Sequence, residues 1–316
     1  MMKSFITGGA GFIGSHLVEA CLERGHQVIV LDNLSTGKME NLPVENPCLQ
    51  FIRGDITDPQ LVRQIADSNP DLDYVFHLAA LVSVPQAMAD PARAHAINFD
   101  ATLLLMDVFR LLPLKKFLFA SSSAVYGDTK TVPVPEETPA HPISTYGADK
   151  LMSEHYLRIY ADTFSLPAIA CRLFNVFGER QDSSSSYSGV ISLFFDRAAA
   201  SKNGSQKTLV IYGDGQQTRD FIYVKDIVNA LIFLAENDAV QNRVFNLGYG
   251  QQVTISELAR KVISLVGADC ILDFQESRAG DIRNSAADIT KILATSFNFT
   301  YSLDQGLQRL KQFWGV

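Results

Sequence analysis

The stretch KSFITGGAGFIGSHL, residues 3–17, decides how the rest of the chain is read. It opens as a short apolar run and breaks into glycines at Gly8, Gly9, Gly11 and Gly14. It then resumes with helical apolar spacing. Gly9, Gly11 and Gly14 fit G-x-G-x-x-G, a weak pattern alone but an informative one between a strand and a helix. Glycines there permit a tight turn and close approach of backbone to a pyrophosphate. The helix start adds free N–H groups and the positive end of a dipole. Gly8, Gly11, Phe12, Ile13 and Gly14 are therefore the expected phosphate contacts of a dinucleotide; a plain tight turn is the structural alternative.

The next apolar run, QVIVLD, ends on Asp32, the offset at which a carboxylate binds adenosine ribose hydroxyls. Asn33, Leu34 and Ser35 follow without an Arg or Lys, which favours NAD over NADP. Asp55 and Ile56, after the third run, are expected beside the adenine. Asn33, Leu78, Ala79 and Ala80 complete the expected cofactor contacts.

Further along, LQFIRGD, DYVFHLAA and KKFLFASSS alternate with helical stretches such as ARAHAINFDATLLLMDVFRLL. Strand, helix, strand repeated this way predicts βαβ units and a parallel sheet with helices on both faces. Strands buried on both faces read as near-continuous apolar runs, as these do. A helix from about Thr145 and a strand in LPAIACRLF follow. After Asn175 the alternation fails, and strands (TLVIYG, RVFNLG) mix with helices (VKDIVNALIFLAEN, ISELARKVISLVG, LDQGLQRLKQFWG). The expected fold is α/β: a Rossmann-type doubly wound parallel sheet over residues 1–174, with segments of about 213–250 returning to it. A smaller interleaved α/β substrate lobe is expected over 175–316.

Composition bounds the partners. With 47% hydrophobic and 19% charged residues in 316, the chain can bury a sizeable core. A net charge of -7 argues against nucleic acid. Cys21, Cys48, Cys171 and Cys270 form no C-x-x-C, so neither a zinc site nor a redox pair is expected. No apolar run reaches membrane-spanning length. The reading is a soluble cytoplasmic protein without metal.

Tyr-x-x-x-Lys occurs twice, as YGDTK at residues 126–130 and YGADK at 146–150. A helix brings i and i+4 onto one face. TVPVPEETP follows the first string, and its prolines make a helix implausible. Ser144 or Thr145 can cap a helix at the second, with Leu151, His155, Tyr156 and Ile159 as its apolar stripe. Spacing alone permits a half-buried aromatic beside a solvated lysine. The chemistry favours more. A phenol of pKa about 10 becomes a usable base when an ammonium and a cationic nicotinamide favour its phenolate. SSSAVYG adds hydroxyls for the same substrate oxygen.

TGGAGFIG, HLAA, SSSAVYG, YGADK, RLFNVFG, IYGDGQQTRDFIYV and RAGDIRNSAAD occur in that order. The set resembles the extended short-chain dehydrogenase/reductases, and within them the NAD-dependent nucleotide-sugar epimerases, over essentially the whole chain. The resemblance implies Tyr146 as acid/base, Lys150 as its partner on the nicotinamide ribose, and Ser122 or Ser123 as the bridging hydroxyl. It implies Asn175, Arg219 and Arg278 on the nucleotide diphosphate, Asp281 on its ribose and Tyr212 in the base pocket. Ser83, Val190 and Tyr126 are expected to line the sugar. It implies C4 epimerisation of a UDP-hexose through a 4-keto sugar, and a homodimer paired through a four-helix interface. Ser123 and Ala124 stand where related dehydratases and decarboxylases carry acids. Ser285, seven residues after Arg278, matches the residue gating the hexose pocket. A small side chain there implies UDP-N-acetylglucosamine and UDP-N-acetylgalactosamine, with UDP-glucose and UDP-galactose as further substrates. A UDP-glucuronate 4-epimerase and a non-catalytic NAD sensor are the alternatives. The sequence departs from the family at Ala101, where glycine is usual, and at Gly178-Glu179-Arg180-Gln181, where GPRQ is common.

Overall fold

A computed structural model of the chain describes residues 2–183, 189–201, 206–240, 243–277 and 282–316. Its first half runs β1 (Lys3–Thr7), α1 (Phe12–Glu23), β2 (Gln27–Asp32), β3 (Leu49–Arg53), α2 (Pro59–Ser68) and β4 (Tyr74–His77). It continues with α3 (Val84–Ala89), α4 (Pro91–His95), α5 (Ala101–Phe109), β5 (Lys116–Ser122), α6 (Thr145–Phe164) and β6 (Ala168–Leu173). The second half runs β7 (Asn175–Phe177), α7 (Val190–Ser201), β8 (Lys207–Tyr212), β9 (Thr218–Arg219), β10 (Phe221–Tyr223) and α8 (Val224–Glu236). After these come β11 (Val244–Leu247), β12 (Val253–Thr254), α9 (Ile255–Val266), β13 (Cys270–Gln275), α10 (Thr290–Leu293) and α11 (Leu303–Trp314).

Seven strands form one sheet in the order β11-β6-β5-β4-β1-β2-β3. Every pairing from β3 to β6 is parallel. The chain winds outward from β1 in both directions, so the switch point lies where β1 and β4 end side by side, with Thr7 opposite His77. In open α/β sheets, ligands bind at that point. β1, β2, β4 and β5 are buried almost throughout, as continuous apolar strands covered on both faces must be. β3, at the edge, is only half-buried.

Two compact units divide the chain. The first comprises Met1–Gly127, Pro139–Leu173 and Val228–Phe245, and the second Asp128–Thr138, Phe174–Ile227 and Asn246–Val316. The second carries three small two-stranded sheets: β7 with β10, β9 with β12, and β8 with β13. Thr254 caps α9 and Ser302 forms a capping box with Gln305 on α11. Both helices stop at a glycine in the left-handed conformation, Gly267 and Gly315.

Two sequence readings need correction. The long helix expected through ARAHAINFDATLLLMDVFRLL runs unbroken over 91–109 but is not α-helical throughout, because Ala96–Asp100 forms a π turn between α4 and α5. A single π turn sits inside continuous helical backbone, and the apolar residues crowd more than one face of this stretch, so the sequence does not mark it. The apolar stripe expected on α6 also faces the wrong way. The buried face is Tyr146, Asp149, Lys150, Ser153, Glu154 and Leu157, while Tyr156 and Ile159 are exposed. A buried face can be polar when its groups satisfy one another. Among the described residues no helix is long and apolar enough to cross a membrane. Cys21 and Cys171 are buried, and burial pushes the Cys21 thiol up to about 12.

Candidate active site

The glycine turn ends at an open helix start. Gly8 has φ +71°, and a Cβ there would lie 2.8 Å from the Ala79 nitrogen. At Gly14 a Cβ would meet the Gly8 oxygen at 2.1 Å. Glycine is thus required by conformation at one position and by close approach at the other. Gly11, the N-cap of α1, offers no side chain to the first-turn amides, and that turn holds no acid. By contrast α2, α6, α9 and α11 are each capped by a side chain, from Asp58, Ser144, Thr254 and Ser302. An uncapped start with backbone close to its axis fits a pyrophosphate.

Asp32 lies at the end of β2 and is buried. Its two oxygens accept the Ala10 and Leu34 amides at 2.9 and 2.8 Å. The remaining lone pairs of this anchored carboxylate suit ribose hydroxyls. Asn33 donates to Asp55 at 2.8 Å, joining two of the expected adenosine residues. Burial works to raise the Asp55 pKa, but hydrogen bonds from Thr57 and Asn33 carry it below the ordinary value. Ile56 is buried beside it in sequence.

At the end of β4 a hydrogen-bonded chain fixes the HLAA segment. The Thr102 hydroxyl donates to the Asn98 carbonyl at 2.7 Å, so it accepts from His77 Nε2–H at 2.8 Å. His77 Nδ1 is then the acceptor for the Thr7 hydroxyl, also at 2.8 Å. Thr7 Oγ1 in turn accepts the amides of Leu78 and Ala79 at 3.2 Å. Asn98 holds Leu81 from both sides, accepting its amide and donating to its carbonyl. Burial pushes the His77 pKa down to about 3, and the Lys150 charge adds to the effect, so the ring stays neutral. Sequence reading missed this chain; the signal was a histidine inside an apolar strand.

The serines after β5 are told apart by where they point. Ser121 is buried and donates to Glu154 at 2.5 Å. The Ser122 hydroxyl accepts the Ala124 amide at 3.1 Å and lies close enough to the Tyr146 phenol to oppose the rise of its pKa. Ser123 starts the short 3-10 turn Ser123–Val125. Ser144 caps α6 through the Gly147 amide and sets Tyr146 in its first turn.

Tyr146 and Lys150, one turn apart, are 9% and 2% exposed. Burial raises the Tyr146 pKa, and the Ser122 hydrogen bond opposes that rise. Lys150 Nζ donates to the Ala120 carbonyl at 2.7 Å and lies 5.8 Å from the Tyr146 ring centroid. Burial pushes its pKa down to about 7, with Asp149 and Glu154 working the other way. Lys150 is thus anchored to β5 beside the Tyr146 ring.

Tyr126 is buried, and its hydroxyl accepts from Arg172 at 2.8 Å. Ser83 caps α3 through Gln86. In the second unit, exposed Asn175 starts β7, half-buried Tyr212 ends β8 and half-buried Val190 starts α7. Arg219 donates to the Thr218 carbonyl at 2.8 Å. The neighbouring Asp220 accepts the amides of Tyr249, Gly250 and Ala287 at 2.8–2.9 Å. Burial pushes its pKa up to about 6 against those bonds. This buried carboxylate, missed in the sequence, fixes the segment that carries half-buried Ser285. Arg278 and Asp281 lie outside the described residues.

Comparison with known proteins agrees with this geometry. A model of the NAD dependent epimerase/dehydratase family matches residues 4–248. A putative UDP-glucose 4-epimerase of Methanocaldococcus jannaschii is 35% identical over 306 residues, 96% of each chain. The solved UDP-N-acetylglucosamine 4-epimerase from Methanobrevibacter ruminantium, in complex with UDP-N-acetylmuramic acid, superposes with a TM-score of 0.92. It is 39% identical, with 99% of this chain and 98% of that one covered. The Thermus thermophilus UDP-glucose 4-epimerase complex with NAD gives 0.89 at 32% identity, covering 99% of each. With the glycine turn, the anchored Asp32 and the buried Tyr146–Lys150 helix in place, the chain belongs to the NAD dependent epimerase/dehydratase family.

Proposed function

We propose that this protein is an NAD-dependent UDP-sugar 4-epimerase that inverts C4 of a hexose through a 4-keto sugar. The observation that carries the reading is the buried Tyr146 phenol one helical turn before buried Lys150, with the Ser122 hydroxyl close to the phenol. The open α1 start holds the pyrophosphate, Asp32 with Asn33, Asp55 and Ile56 the adenosine, and Lys150 with Leu78–Ala80 the nicotinamide side. When bound, NAD supplies a reversible hydride acceptor for the sugar C4. Tyr146 removes the O4 proton, holds it while the ketone turns, and returns it to O4. Ser122 keeps O4 in line with the phenol throughout. Lys150, fastened to the Ala120 carbonyl, fixes the cationic side of this arrangement.

Asn175, Arg219 and Arg278 take the diphosphate in this reading, because a guanidinium fork matches phosphate oxygens. Asp281 takes the nucleotide ribose, Tyr212 the base, and Ser83, Tyr126 and Val190 the sugar. The preferred substrates are UDP-N-acetylglucosamine and UDP-N-acetylgalactosamine. What supports this is Ser285, a small residue in a segment held by the Arg283 carbonyl, the Ala286 carbonyl and the Ala287 amide. We also propose a cytoplasmic homodimer that covers the exposed Met152, Tyr156 and Ile159 of α6.

The test is to incubate purified protein, with no NAD added, with UDP-N-acetylglucosamine, UDP-glucose and UDP-glucuronate separately. The reading predicts the C4 epimer from the first and a slower conversion of the second. Conversion of UDP-glucuronate alone would overturn the substrate assignment, and conversion of none would overturn the reaction.

A further inference from the structure

Helix α6 carries a third buried polar residue in step with Tyr146 and Lys150. Glu154 lies one turn beyond Lys150, on the same face, and Arg172 of β6 grips its carboxylate. Arg172 Nε donates to both Glu154 oxygens at 3.0 and 3.2 Å, and Nη2 donates to Oε2 at 2.7 Å. The two side chains are only 5% and 7% exposed. Stability alone is a poor reason to keep such a pair, since apolar residues of similar volume often serve as well.

What the pair touches suggests a different reason. The Ser121 hydroxyl donates to Glu154 Oε1, and Arg172 Nη1 donates to the Tyr126 hydroxyl. The guanidinium also lies 4.7 Å over the Tyr126 ring. Ser121 and Tyr126 are the two ends of a segment that contains Ser122 and the short 3-10 turn. One ion pair therefore pins both ends of the piece of chain whose middle presents the Ser122 hydroxyl to Tyr146. The pair is anchored to the same helix as Tyr146, so phenol and hydroxyl are referred to one rigid element.

We propose that Glu154 and Arg172 are positioning residues for the reaction, holding the Ser121–Tyr126 segment so that the Ser122 hydroxyl stays beside the Tyr146 phenol. Their part in turnover rests on the epimerase reading above; the placement of the segment does not. Glu154→Gln alone would strand a buried guanidinium, so the test uses the double variant Glu154→Met, Arg172→Leu together with Ser121→Ala. Each is compared with wild type, carrying its bound NAD, for melting temperature, NAD content, KM and kcat on UDP-N-acetylglucosamine. The double variant should melt close to wild type yet lose about 100-fold in kcat, the scale of a reacting group displaced by an ångström. KM and NAD content should stay within about twofold. Ser121→Ala should lose about fivefold in kcat with the same pattern, the effect of one hydrogen bond.

A folded double variant with wild-type kcat would overturn the proposal. So would an unchanged kcat in Ser121→Ala, which decides the matter if the double variant does not fold. A second readout needs no turnover. Ultraviolet difference titration against Tyr146→Phe should show the phenol pKa higher in both variants, because the Ser122 hydrogen bond opposes the rise caused by burial. If wild type epimerises no UDP-hexose, the functional reading fails by itself. In that case an unmoved Tyr146 pKa would still sink the positioning role.

Discussion

The chain spells Tyr-x-x-x-Lys twice and uses the two strings for different ends. In YGADK the lysine follows the tyrosine by one turn of α6, and both side chains are buried. In YGDTK, Tyr126 is buried but the chain leaves its short 3-10 turn at once, Gly127 takes φ 64°, and Lys130 is exposed outside any helix. Four-residue spacing makes a pair only where a helix converts it into a shared face. The buried neighbour also differs. Tyr146 has a neutral serine hydroxyl close by, whereas Tyr126 accepts a hydrogen bond from a permanently charged guanidinium. The first arrangement suits proton transfer, and the second suits a ring held in place.

Substitutions can break this contrast in order of size. Tyr146→Phe removes the proposed acid/base. It should lower kcat by about 10²–10⁴-fold with NAD still bound, as read by steady-state kinetics and cofactor extraction. Lys150→Met should cost about 10²-fold in kcat by the same assay, because the cofactor side loses its anchor. That substitution also tests the charge of the buried lysine. Burial holds the Lys150 pKa near 7 in the folded chain, against about 10.4 unfolded. Between those values the unfolded state binds more protons, so the NAD-free protein should gain stability as pH rises from about 7 to 10. Denaturant midpoints measured across that range should lose the rise in Lys150→Met. Tyr126→Phe deprives Arg172 of one acceptor and should cost about 1–3 kcal/mol in chemical denaturation. Lys130→Ala should stay within about 0.5 kcal/mol of wild type, with unchanged kcat.

The same contrast explains what was readable in the sequence. Strands buried on both faces must be apolar throughout, so β1, β2, β4 and β5 announced themselves as unbroken runs. The glycine turn was readable because its demands at Gly8 and Gly14 are local. The buried face of α6 was not, since Asp149, Lys150, Ser153 and Glu154 resemble a solvated surface until their partners are known. Arg172, inside a strand, and Asp220, beside Arg219, gave no sign of their roles for the same reason. Their partners lie far away in sequence, and no periodicity encodes them. Choosing among Ser121, Ser122 and Ser123 likewise required the turn that sends Ser121 to Glu154 and Ser122 to Tyr146.

The fate of the hydrogen on C4 tests the central assignment most directly. A UDP-hexose labelled with deuterium at C4 is incubated in ordinary water with the purified protein, no NAD added. Oxidation and return of hydride at that carbon, with only the O4 proton passing through Tyr146, predicts that both C4 epimers keep the label. Epimer that has lost its deuterium to water would contradict the account, because the proton chemistry would then act on carbon instead of oxygen.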